Sequence, residues 1–332
     1  MKKTFLCLLA VIAALPVLCG QVRAQEAFVR GAGSCVYTGY VPLQDKPVTL
    51  YYYIPTSGDI TLMPVLFAMH GTKRHGSDAR DAWREFAEKY GFIVLSPEYS
   101  REYYDNNAYN YGNVSEKIEE FIPRPRELWT YNTIESIFDF FRGQTGNLSD
   151  KYDMWGHSAG GQFVHRFLLC MPEARVNRAV AANAGTWTFL EPDGLKDREG
   201  SVFGWPYSIK GTPFAEKENL RKFFAREFYV NLGDADVDTT SSDFPKYPAA
   251  MAQGPTRYAR GNNFFKSARA CARALGCHID WRRSVVAGAS HSSKMMIYGR
   301  SAPRDGKKRT YDPGDISNTA AFWLIYGDRL LK

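Results

Sequence analysis

The stretch YDMWGHSAGGQFVHRFLLC, residues 152–170, decides how the rest of the chain is read. Tyr152–Trp155 is a short apolar strand, and Gly161–Cys170 carries an apolar pattern of helical length. Between them stands Gly156-His157-Ser158-Ala159-Gly160, a G-x-S-x-G in the strand, turn, helix setting that a nucleophile elbow requires. Glycine suits positions 156 and 160, because the turn is tight and side chains there would meet neighbouring backbone. Ser158 is thereby held at the amino end of a helix, whose dipole favours developing negative charge. A Gly/Ser-rich turn that only caps a helix is the plainer alternative.

A serine hydroxyl is a poor nucleophile at neutral pH, so it needs a base oriented by a carboxylate. The six histidines are His70, His75, His157, His165, His278 and His291. In a doubly wound sheet the site forms beyond the carboxyl ends of the strands. His291 meets that condition in the loop GASHSS after the strand IDWRRSVV, whereas His278 precedes the strand. His157 and His165 read as packing or hydrogen-bonding residues, and His157, beside the nucleophile, is also a substrate-binding candidate. For the acid, the strand FYVNL runs into GDADVD at 233–238. Asp236 is the first candidate, Asp238 the second and Asp234 the third; those that are not the acid would cap the turn. The order Ser158, Asp, His291 fits a triad read in chain order. An oxyanion hole needs two backbone donors. Ala159 supplies one, and Thr72, in FAMHGT after an early strand, supplies the other.

Working outward, strands are expected at Cys35–Val41, Val48–Ile54, Val65–Met69, Phe92–Leu95, Asn177–Ala182, Phe228–Leu232 and Trp281–Val286. Helices are expected at Ala79–Tyr90, closed by Gly91, and at Arg126–Phe141, Asn263–Leu275 and Thr319–Leu330. Strands alternating with helices predict an α/β fold, a mostly parallel central sheet flanked by helices on both faces, with an antiparallel start. Two connections break the alternation. Glu98–Pro125 carries Tyr99, Tyr103, Tyr104, Tyr109 and Tyr111, and Thr186–Thr212 carries Trp187, Trp205 and Tyr207. Long connections are often functional. Their aromatics either face substrate, with Tyr99 and Trp187 as the candidates, or pack on the body.

The chain has 332 residues, 45% hydrophobic and 23% charged, with a formal net charge of +7. That composition excludes disorder, and no block of like charge marks a nucleic-acid tail. Residues 1–24 read as a cleaved signal peptide: Lys2 and Lys3, an apolar Phe5–Leu18, and Val22-Arg23-Ala24 at the cleavage site. Cys19 offers a lipoprotein alternative, which Leu18 before it disfavours. Cleavage near Ala24 removes three bases and no acids, so the charge falls to +4. The mature chain, residues 25–332, is expected to be one domain, secreted or periplasmic, with aromatic-rich insertions near 99–125 and 186–212. It keeps four cysteines, for which a Cys271–Cys277 bridge and a longer Cys35–Cys170 bridge are the pairings considered.

The set HGT at 70–72, GHSAGG at 156–161, GDAD at 233–236 and GASH at 288–291 resembles secreted serine hydrolases of the α/β-hydrolase superfamily. The branch it most resembles holds polyhydroxyalkanoate depolymerases and feruloyl and acetylxylan esterases. In that family the acid often stands in G-x-x-D, which Gly233 to Asp236 satisfies. The resemblance implies a serine esterase working through an acyl-enzyme. The expected substrate is a carbohydrate ester (acetyl, feruloyl or methyl) linked to a polysaccharide, whose rings or acyl groups the loop aromatics would hold. The alternatives are a polyhydroxyalkanoate depolymerase-like esterase, a serine peptidase of the same superfamily, and an inactive glycan-binding relative. No cofactor and no metal are expected, since His70, His75 and Asp78 are the nearest ligand-like cluster and no phosphate or dinucleotide loop is present. Neither nucleic acid nor an integral membrane segment is expected in the mature chain, and the run Arg300–Arg309 reads as solvated surface.

Overall fold

The computed structural model describes residues 28–299 and 317–330. The signal segment, with Cys7 and Cys19, and the run Arg300–Arg309 lie outside them. In chain order the elements are β1 (Gly31–Tyr37), β2 (Val48–Ile54), β3 (Val65–Met69), α1 (Gly76–Asp81), α2 (Arg84–Tyr90), β4 (Ile93–Glu98), α3 (Asn106–Asn110), α4 (Asn132–Thr145), β5 (Tyr152–His157), α5 (Ala159–Cys170), β6 (Val176–Ala182), β7 (Leu195–Lys196), β8 (Val202–Phe203), α6 (Lys217–Phe224), β9 (Glu227–Gly233), α7 (Pro248–Gln253), α8 (Arg257–Ala274), β10 (Arg282–Val286), α9 (Ser293–Tyr298) and α10 (Ala321–Tyr326). Eight strands form one sheet in the order β1-β2-β4-β3-β5-β6-β9-β10. β2 pairs antiparallel with β1 and β4, and the remaining neighbours pair parallel. The sheet is therefore the mixed, mostly parallel one that the alternation predicts.

The strand period of two builds both faces of this sheet. On β3, Val65, Phe67 and Met69 join a core formed with α4, α5, α6 and α8 through Ile137, Phe163, Leu220 and Phe264. Leu66 and Ala68 point the other way and join Trp155, Phe86, Phe322 and Tyr326, under α2 and α10. Because both faces are covered, the central strands read as unbroken apolar runs.

Local chemistry moved several boundaries. The helix expected over Ala79–Tyr90 is two helices, broken where Trp83 is buried edge-on to Trp155 at 5.5 Å. Gly91 does close it, with a left-handed φ of 70°. The helix expected from Arg126 starts at Asn132, since Arg126–Leu128 forms a separate 3-10 turn after Pro125 and Trp129 is extended. β1 lies four residues before its expected start. Cys35, Cys170, Cys271 and Cys277 are free thiols, so neither considered bridge is present. Cys271 faces the core from α8, while Cys277, past the left-handed Gly276, sets its Sγ against the Leu275 carbonyl at 3.8 Å.

The two long connections pack inward and against each other. Tyr99, Tyr104, Tyr109, Trp187 and Trp205 are all buried. The Glu119 N–H donates to the Trp205 carbonyl, and the Phe121 ring meets Trp205 at 5.9 Å.

Candidate active site

β5 delivers the chain to Ser158, which adopts φ 59° and ψ −117° between the strand and α5. A non-glycine residue in that region is strained and persists only where its surroundings fix it. Here the Ser158 N–H donates to the Ala182 carbonyl at 3.0 Å. The glycines are obligatory for close approach: a Cβ on Gly156 would strike the Gly160 carbonyl, and one on Gly160 would strike the carbonyl of Met69.

The loop after β10 sets His291 Nε2 3.0 Å from Ser158 Oγ, and the loop after β9 sets Asp236 Oδ2 2.8 Å from His291 Nδ1. The carboxylate accepts from Nδ1–H, which turns the Nε2 lone pair toward the serine hydroxyl. Asp236 is buried. Asp234 and Asp238 do other work: Asp234 Oδ1 accepts from the Gly288 N–H at 2.7 Å, pinning the loop that carries His291, and Asp238 caps its turn through Thr240. Two supporting residues carry no sequence signal. Arg257, buried on α8, lies 3.7 Å from Asp236 Oδ1. Asn183 holds the acid and base loops together, its Oδ1 accepting from the Gly233 N–H at 2.8 Å and its Nδ2 donating to the Ser290 carbonyl at 3.3 Å.

Ala159 lies in the first turn of α5, where N–H groups have no intrahelical acceptor. Thr72 borders the same cleft as Ser158 and Ala159, and its carbonyl accepts from Arg101 at 2.7 Å. His70 fastens this loop. Burial pushes its pKa down to about 3, so the ring is neutral: Nδ1 donates to the Gly71 carbonyl at 3.0 Å and Nε2 accepts from the Tyr99 N–H at 3.1 Å. Tyr109 stacks on that ring at 4.3 Å and donates its hydroxyl to the His70 carbonyl. The tyrosine-rich connection is thus the mounting of the Thr72 loop.

Ser158 stands between two clefts. One, of about 380 Å³, is walled by His70, Trp155, His157 and His291. The other, of about 210 Å³, is walled by Asn110, Tyr111, Gln162, Phe244 and Tyr247. Thr72 and Asp243 border both. His157 lines the first cleft with its ring 4.5 Å from that of His291; burial, then His291 and Arg257, hold its pKa well below the usual histidine value. The substrate-binding expectations for Tyr99 and Trp187 are corrected. Both are fully buried: Tyr99 bonds Thr133 Oγ1, and Trp187 stacks on Phe264 at 4.6 Å. Their apolar faces find more surface to cover inside the protein than in a loop. His75 and Asp78 form an exposed pair at 3.1 Å, and no group of three metal-type ligands occurs among the described residues. No helix among them is long and apolar enough to cross a membrane.

No family model matches the chain, and no curated protein matches it. Among solved structures it is similar to a poly(aspartic acid) hydrolase from Sphingomonas sp. KT-1, at 36% identity and TM-score 0.72, over 80% of this chain and 96% of that one. The chain belongs to the α/β-hydrolase superfamily. This α/β-hydrolase is also similar to a poly(3-hydroxybutyrate) depolymerase from Bordetella parapertussis, at 27% identity and TM-score 0.72, over 84% of this chain and 94% of that one. An acetyl xylan esterase from Aspergillus awamori matches at 14% identity and TM-score 0.47, over 79% and 95%, a likeness too remote to carry any argument.

Proposed function

We propose that this α/β-hydrolase is an exported depolymerase-type serine hydrolase that cleaves carboxylic acyl bonds within a polymer. The observation that carries the reading is the linear relay from Asp236 through His291 to Ser158, open to solvent between two clefts. Ser158 Oγ attacks the acyl carbon while His291 Nε2 takes its proton. The N–H groups of Ala159 and Thr72 hold the oxyanion, and His291 returns the proton to the leaving group. Water, activated by the same histidine, then releases the acid from the acyl-enzyme.

Two points favour a polymer backbone over a decorated polysaccharide. The relatives similar over most of their length are named for a poly(aspartic acid) and a poly(3-hydroxybutyrate). The carbohydrate-ester reading relied on Tyr99 and Trp187 as exposed platforms, and both are buried. Clefts on either side of the serine suit a chain that continues past the scissile bond in both directions. Export with cleavage near Ala24 agrees with a substrate too large to enter a cell, and amino-terminal sequencing of the extracytoplasmic protein checks it.

A fluorophosphonate probe should label the wild type and spare Ser158→Ala. Turnover should be greater on poly(3-hydroxybutyrate) or poly(aspartic acid) than on acetylated or feruloylated xylan. Labelling that survives Ser158→Ala removes the serine mechanism, and a preference for the xylans restores the carbohydrate reading.

A further inference from the structure

Three arginines are buried without an acidic partner, and all three stand behind the walls of the smaller cleft. Arg166 on α5 and Arg260 on α8 are fully buried, and Arg74, after β3, is nearly so. Neutral acceptors satisfy them. Arg166 donates to Thr188 Oγ1, Gln162 Oε1 and the Pro206 carbonyl at 2.9–3.2 Å. Arg260 donates to the carbonyls of Gly254, Gly185 and Pro245 at 2.8–2.9 Å. Arg74 donates to the carbonyls of Tyr99 and Asp105 and to Asn106 Oδ1. No described carboxylate lies within the 4.0 Å ion-pair distance of any of them. Burial pushes Arg74 and Arg260 down to about 10, which leaves both charged at neutral pH, and lowers Arg166 as well.

A buried charge without a counter-charge is expensive, so three behind the lining of one cavity call for a reason. Each touches the cleft lining. Arg166 holds Gln162 and stacks on Tyr111 at 4.8 Å, Arg260 holds Gly185 and Pro245 and stacks on Phe244 at 4.3 Å, and Arg74 holds Asn106. The lining carries unused hydrogen-bonding capacity. Gln162 spends its Oε1 on Arg166 and Thr186, while its Nε2 donates to no described acceptor. Of the nearby carboxylates, Asp236 is paired with Arg257 and His291, Asp105 faces Arg74 from an exposed position, and Asp243 borders the cleft from an exposed position.

We propose that the smaller cleft is a carboxylate subsite, which seats an anionic group of the substrate next to the acyl bond that Ser158 attacks. The charge of Arg166 acts on the ligand through the Gln162 amide, whose oxygen it holds and whose Nε2 is left to donate. The substrates preferred are then carboxylate-bearing polymers and esters rather than neutral polyesters. The inference rests on the serine-hydrolase reading above.

The test compares nitrophenyl hexanoate with the nitrophenyl monoester of adipic acid, which has the same acyl length and a terminal carboxylate in place of the methyl. A charge-assisted hydrogen bond predicts kcat/KM about tenfold or more higher for the adipate ester at low salt. The ratio should fall in about 0.5 M NaCl and move toward one in Gln162→Leu, which keeps its bulk on α5, with each protein's own hexanoate turnover and Ser158 labelling as the reference. A ratio at or below one in the wild type, with hexanoate cleaved and Ser158 labelled, overturns the subsite and leaves the serine-hydrolase reading intact. A high ratio that Gln162→Leu does not change also overturns it, because the anion then binds elsewhere. Absence of both turnover and Ser158 labelling overturns the underlying reading and the subsite with it.

Discussion

At the scale of single residues, the site depends on which oxygen or nitrogen faces which neighbour. Asp236→Asn keeps the shape but offers an N–H or a weaker acceptor to His291 Nδ1, which favours the wrong ring tautomer. We expect kcat to fall about 10,000-fold with the thermal midpoint almost unchanged, measured by ester turnover beside a melting curve; residual activity near the wild-type level would place the acid elsewhere. Asn183 is a different case, because its side chain hydrogen-bonds neither Ser158 nor His291 and acts by tying Gly233 to Ser290. Asn183→Ala should lower kcat about tenfold through the displaced base loop and cost roughly 1–3 kcal/mol for the Gly233 N–H left unpaired. A loss of stability with kcat unchanged would reduce it to a structural support. Ser158, Asp236 and His291 were legible because each lies in a recognisable turn or loop past the carboxyl end of a strand. Asn183 and Arg257 were not, because an asparagine after a strand and an arginine on a helix have no distinguishing pattern until the fold brings them beside Gly233 and Asp236.

At the scale of elements, β5, its turn and α5 form a unit whose geometry leaves no room for a methyl group. Gly160→Ala would drive a Cβ into the carbonyl of Met69 on β3, so backbone has to move rather than a flexible side chain. The expected cost is roughly 2–4 kcal/mol, read as a shift in the urea midpoint, together with loss of turnover as the elbow shifts. A variant with wild-type stability would mean that α5 can slide on the sheet. The central strands were legible because burial on both faces leaves unbroken apolar runs such as VLFAM at 65–69. The edge strand β1 and the break at Trp83 were less so, because the register of β1 is set by its pairing with β2 and the break by the packing of Trp83 on Trp155, neither of which is local in sequence. The aromatic connections misled for the same reason: tyrosine and tryptophan in a Gly- and Asn-rich stretch have one composition whether they face solvent or core.

At the scale of the whole molecule, three histidines are folded into the interior. His70, His157 and His165 are buried, and burial lowers the pKa of each, to about 3 for His70 and well below the usual 6.5 for the other two. The unfolded chain takes up these protons near 6.5, while the folded chain resists them. Stability is therefore full above that pH and declines as the pH falls toward the folded values, by about 1.4 kcal/mol per pH unit for each histidine. Melting curves between pH 7 and 4.5 should show this fall, and a flat profile would mean that the rings are solvated. The two aromatic connections, meanwhile, are joined by the Glu119 to Trp205 hydrogen bond and by Arg166, which stacks on Tyr111 of one and donates to Pro206 of the other. For anyone recombining this protein with a homologue, these segments are one inheritable module: a chimera that imports either alone inherits half of a joint, and both have to move together with the residue at 166.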